Sequence, residues 1–88
     1  MDIRQFADKM NELYRLRKPE TNLKRYRTLS GFSQSMLAER VGVPVRTIQQ
    51  YEQRKKEINK AHAETLLRLA KVLNCNMEDL IEKIPVNN

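Results

Sequence analysis

Tryptophan is absent from this sequence, and cysteine and histidine occur once each, as Cys75 and His62. A single thiol excludes an intrachain disulfide, and one thiol with one imidazole, far apart in sequence, gives neither a zinc-ligand set nor a nucleophile–base pair. Cys75 therefore reads as a small buried side chain in a reducing compartment. His62 reads as a helix-start or surface residue. With only two glycines there is no glycine-rich phosphate loop, and no carboxylate pair accompanies the histidine, so an enzyme is the poorest reading and no cofactor is expected. Long apolar runs are missing too. Nothing approaches the roughly 18–20 apolar residues of a membrane span, and the first residues, "MDIRQFADKM", lack the apolar core of a signal peptide. The expectation is a soluble, cytoplasmic protein with no membrane partner.

What remains is a chain of 88 residues, 40% apolar and 32% charged. That suffices for one modest core and argues against compositional disorder. The net charge of +6 is unevenly spread, with 14 Lys/Arg against 7 Asp/Glu in residues 1–60 and 3 against 4 in residues 61–88. A basic first two thirds suits a polyanion, either nucleic acid or an acidic membrane surface. Composition alone does not choose between them.

Abundant Leu, Glu, Lys, Arg, Gln and Ala, without alternating β-branched runs, predict an all-α fold. Residues 1–18 read as an N-terminal amphipathic helix with Ile3, Phe6, Met10 and Leu13 on one face. Pro19 ends it, and residues 19–88 form the main domain. A helix over about 22–30 is capped by Thr21 or Asn22, turns Leu23, Tyr26 and Leu29 inward, and stops at Gly31. Ser33 caps the next, "QSMLAERV", which Gly42 ends. A further helix covers about 44–53, followed by the charged loop "RKKEINK". The helix in "AHAETLLRLAKVLN" carries Ala63, Leu66, Ala70 and Leu73, widened by Leu67, Leu69 and Val72. In "NMEDLIEK", Asn76 is the cap and Met77, Leu80, Ile81 and Ile84 face inward before Pro85.

The join "GVP", Gly42–Pro44, is the most informative stretch. Three residues is the length of the turn in a helix-turn-helix; Gly42 can take φ > 0, and Pro44, with fixed φ, suits the first turn of the next helix. At about 100° per residue from Val45, Ile48 and Tyr51 fall near 300° and 240°, whereas Gln49, Gln53, Arg46 and Gln50 fall near 40°, 80°, 100° and 140°. One side is core and the other offers hydrogen bonds. Arg pairs bidentately with guanine O6/N7 and Gln with adenine N6/N7, which is the chemistry of major-groove edges.

The run "LKRYRTLSGFSQSMLAERVGVPVRTIQQYEQR", followed by "ETLLRLAKVLNCNMEDL", resembles the Cro/CI-type (Xre-type) helix-turn-helix family of phage and bacterial repressors over residues 23–82. The family pattern is "LKxLRxxxGLSQxxLAxxxGVSxxTIxxYExG" and then "ETLLxLAxxL". The resemblance implies a five-helix lambda-repressor-like DNA-binding domain, here with an extra N-terminal helix, acting as a homodimer on a near-palindromic operator in double-stranded DNA. It implies base contacts by Val45, Arg46, Gln49 and Gln50. Phosphate contacts are implied for Gln34, Thr47, Arg54 and Lys55, and a structural ion pair for Arg27 and Glu52.

Three departures from the pattern stand out. Pro44 replaces the usual serine cap, Val45 replaces a commonly polar residue, and Arg54 stands at the family's glycine, before a loop about three residues longer than usual. The rival reading is a protein-interaction module, such as the antitoxin of a small operon with a toxin partner. Its motive is the N-terminal segment, which packs either on the chain's own core or as a dimer helix.

Overall fold

The computed structural model describes residues 19–82, so the expected N-terminal helix, Ile84 and Pro85 lie outside the described residues. Within that span the chain forms helices α1 (Asn22–Leu29), α2 (Gln34–Val41), α3 (Val45–Glu52), α4 (Ala63–Leu73) and α5 (Met77–Leu80), with one 3₁₀ turn at Ile58–Lys60. Among the described residues there is no strand, so the fold is all-α with five α-helices, as the sequence predicts. No helix there is long and apolar enough to cross a membrane.

Each boundary has a local cause. Thr21 Oγ1 accepts from Lys24 N at 3.1 Å and Ser33 Oγ from Met36 N at 3.0 Å, so α1 and α2 begin where a side chain satisfies an otherwise orphaned amide. At α5, Asn76 N donates to Asp79 Oδ2 at 2.9 Å. Gly31 and Gly42 take φ of +77° and +81°, which ends α1 and α2 in the left-handed region. A Cβ added at Gly42 would meet only Arg68 Nη1 at 3.8 Å, an ordinary contact. Gly42→Ala should therefore cost only the backbone strain, about 1 kcal/mol in urea unfolding. A loss several times larger would mean that the turn is also sterically closed.

Leu23, Leu37, Ile48, Leu69 and Leu80 are the largest fully buried side chains, one from each helix. Around them α3 packs on α2 and α1, and α4 on α2 and α5. Burying one leucine or isoleucine from every α-helix makes helix packing, not helix propensity, the main stabilising term for segments of 4 to 11 residues. Four expectations need correction. Leu29 is 78% exposed: six residues after Leu23, it has rotated off the inward face and ends its helix. Leu67 is 44% exposed and Ala63 is also outside, so the buried stripe of α4 is narrower, namely Leu66, Leu69, Ala70 and Leu73. Helix α5 stops at Leu80, and Ile81 is its extended, half-buried C-cap rather than an inward helical residue. Cys75 is half-buried rather than buried.

The chain leaving α5 is tied back to the domain. Asn22 N donates to Glu82 Oε1 at 3.1 Å and Asn22 Nδ2 to Ile81 O at 2.9 Å, while Asn59 and Glu82 exchange two bonds of 3.0 and 2.8 Å. These bonds hold the start of α1 against the loop that follows α3.

Candidate nucleic-acid interface

Helix α3 has two chemically distinct sides. Ile48 and Tyr51 are buried, at 0% and 5% exposure, and anchor it to the core. Arg46 and Val45 are exposed, the valine at 37%, and Gln49, Gln50 and Thr47 are half-buried. The described hydrogen bonds of this region run to Glu52 and Pro19, so among the described residues the Arg46, Gln49 and Gln50 side chains keep their donors and acceptors unspent. A turn-presented helix with one core face and one unspent polar face is what groove insertion needs.

The turn places α3 with little freedom. Gly42 N and Val43 N both donate to Ala38 O, at 2.8 and 3.0 Å, which folds the chain back directly after α2. Pro44 is the N-cap rather than a first-turn residue, with φ −60° and ψ 144°. It offers no side-chain oxygen, so the helix start rests on its carbonyl, which accepts from Thr47 N at 3.0 Å. The missing serine cap thus leaves the helix start in the expected register, within one residue.

At the other end of α3 the ion pair is present. Arg27 Nε donates to Glu52 Oε2 at 2.7 Å and Nη2 to Oε1 at 2.9 Å, a bidentate fork, while Nη1 donates to Phe32 O at 2.8 Å. The two side chains are 13% and 3% exposed. The bond to Glu52 raises the pKa of the Arg27 guanidinium further, against the lowering by burial, so the group stays charged wherever the chain is folded. The family resemblance names both residues and gives no sign of a third partner. Gln34 Nε2 also donates to Glu52 Oε1, at 3.0 Å, so the glutamine expected at a phosphate is also bonded to the ion pair. The only signal for this was that a buried carboxylate has more lone pairs than one guanidinium fills.

The basic loop after α3 is organised by backbone. Lys55 N and Lys56 N both donate to Gln50 O, at 2.9 and 3.2 Å. Arg54 has φ +59°, so the family's glycine falls at a left-handed position that this chain fills with arginine. Its Nη2 donates to Pro19 O at 2.6 Å, which spends part of the guanidinium on the segment before α1. Lys55 and Lys56 are both exposed, and Lys56 Nζ stands 5.7 Å from the centroid of the Tyr51 ring, a cation–π contact. A second cation–π contact sets Arg40 over Phe32 at 4.8 Å.

Among the described residues, groups that could do chemistry are not gathered. His62 is the exposed N-cap residue of α4, and burial, with a smaller effect of Asp79, pushes the Cys75 thiol up, away from a reactive thiolate. Among the described residues no three His, Cys, Asp or Glu side chains cluster as metal ligands would.

A comparison with curated proteins gave no match. A family model described as helix-turn-helix matches residues 23–80, about two thirds of the chain, and spans every structural feature just described from Leu23 to Leu80. The chain therefore belongs to the Cro/CI-type helix-turn-helix family, a family of DNA-binding transcription regulators.

Proposed function

We propose that the chain is a cytoplasmic, sequence-specific repressor that binds near-palindromic double-stranded DNA as a homodimer, with α3 in the major groove. The observation that carries this reading is the division of α3 into a face anchored by Ile48 and Tyr51 and a face of Arg46, Gln49 and Gln50 with unspent hydrogen bonds. Arg46 and Gln50 read base edges, Gln49 stands between them, and Val45, exposed at the helix start, meets a thymine methyl. Gln34, Thr47, Arg54 and Lys55 contact phosphates and set register rather than sequence preference. Arg54 has spare N–H groups for this beyond the one bonded to Pro19 O. Two recognition helices of a dimer would lie roughly 34 Å apart, one turn of the duplex.

Selection of bound sequences from a random duplex pool tests binding, symmetry and half-site spacing together. Recovery of a pool no different from the input would sink the proposal. On the selected site, Arg46→Ala should lose about 1–3 kcal/mol of discrimination between selected and random DNA. Lys55→Ala should instead weaken binding to both alike and lower the salt slope by about one unit. Fluorescence anisotropy over a salt series separates the two, and identical behaviour of both variants would refute the division of roles.

A further inference from the structure

We propose that Glu52 is a positioning residue for DNA binding, one that aims the Gln34 amide at the phosphate backbone, so that the buried ion pair serves the interface as well as the fold. The inference deepens the DNA-binding reading above and rests on it. Gln34 is a long side chain that would ordinarily sample several rotamers and have to be ordered when DNA arrives. Here one of its two Nε2 protons is already fixed to Glu52 Oε1 at 3.0 Å. The anchor itself is rigid: the Glu52 carboxylate is held by the two-pronged Arg27 fork, its side chain is 3% exposed, and Arg27 is further tied to Phe32 O.

The second Nε2 proton has no acceptor among the described residues, and Gln34 is only half-buried. It shares the start of α2 with the backbone N–H groups of Gln34 and Ser35, which precede the amide that Ser33 satisfies. A phosphate at that corner would meet a prearranged side-chain donor beside backbone donors that have no acceptor among the described residues, at a positive helix end. Because Glu52 is the last residue of α3, the same hydrogen bond joins the phosphate donor of α2 to the helix that carries Gln49 and Gln50. Arg27 and Glu52 cancel in charge and Gln34 is neutral. The effect therefore changes affinity without changing the salt slope, which separates it from a lysine–phosphate contact.

The test is a double-mutant cycle on the full chain, read by anisotropy with a random-sequence duplex, because a phosphate contact is independent of sequence. Gln34→Ala is combined with a background in which Arg27→Met and Glu52→Leu remove both charges together, leaving no unpaired charge although Phe32 O loses its guanidinium donor. In the wild type, Gln34→Ala should weaken binding about tenfold with the salt slope unchanged. In the background lacking the pair it should cost less than about twofold, because the amide there is no longer aimed. An equal tenfold cost in both overturns the proposal.

The wild type gives a second measurement that needs no altered core. In NMR spectra of the free protein, the two Gln34 Nε2 protons should be well separated, and added duplex should shift mainly the one not bonded to Glu52. Two protons at the positions of a free amide, or moving together on titration, overturn it as well. A wild type that binds no duplex at low salt removes the DNA-binding reading and this inference with it, whereas binding with equal costs in the cycle removes this inference alone.

Discussion

Glu52→Ala should lower the free energy of unfolding by about 3–5 kcal/mol, a large part of the 5–15 kcal/mol typical of a small domain. The reason is asymmetry rather than the strength of the pair. Glu52 satisfies two N–H groups of Arg27 and one of Gln34, at 2.7, 2.9 and 3.0 Å. Without it, a guanidinium that is 13% exposed keeps only Phe32 O as a described partner. Burial of an uncompensated cation is what costs; the intact pair gains little over well-packed apolar groups, because bringing both charges out of water offsets most of their attraction. The combined change Arg27→Met with Glu52→Leu should accordingly stay within about 1 kcal/mol of the wild type or exceed it. Urea unfolding of the three proteins decides the matter. A Glu52→Ala variant within about 1 kcal/mol of the wild type would show that Arg27 finds another partner or water.

The same site shows how far a sequence can be read. The turn was legible because glycine and proline act locally: Gly42 has φ +81° and Pro44 sits in the extended conformation at the start of α3, and each follows from its own covalent structure. The inward face of α3 was legible because Ile48 and Tyr51 repeat at helical spacing. Leu29 and Leu67 were misplaced because helical spacing gives a stripe but not its width. How wide the stripe is depends on which neighbour arrives, and α4 meets α2 and α5 on one narrow side.

Long-range polar bonds were the least legible. The Gln34–Glu52 bond spans 18 residues, the Arg54–Pro19 bond 35 and the Asn22–Glu82 bond 60. No local propensity encodes such separations. The identities of Arg27 and Glu52 were available only because the resemblance supplied a pairing that spacing could not. The family pattern in turn had no place for an arginine with φ +59° or a proline cap, and these are the features particular to this chain.

Leu69→Ala should destabilise the domain by about 3–5 kcal/mol, comparable to the loss at Glu52 but through a different mechanism. Leu69 is 0% exposed on α4, which packs on both α2 and α5, so truncation removes apolar burial and leaves a cavity that helices on two sides would have to close together. Leu67 lies two residues earlier on the same helix and is 44% exposed; Leu67→Ala should change stability by no more than about 0.5 kcal/mol. The two variants share chemistry and helix propensity and differ only in burial. Similar losses in urea unfolding would mean that the face assigned to α4 is wrong.

The pair also separates stability from function. Helix α4 is not among the elements proposed to touch DNA, so Leu69→Ala should bind duplex with unchanged affinity at temperatures where circular dichroism shows it folded. Binding should then disappear in step with unfolding, because the α2 and α1 surfaces on which α3 packs exist only in the folded domain. Weakened binding by a fully folded Leu69→Ala protein would mean that the position of α3 depends on core packing even in the native state.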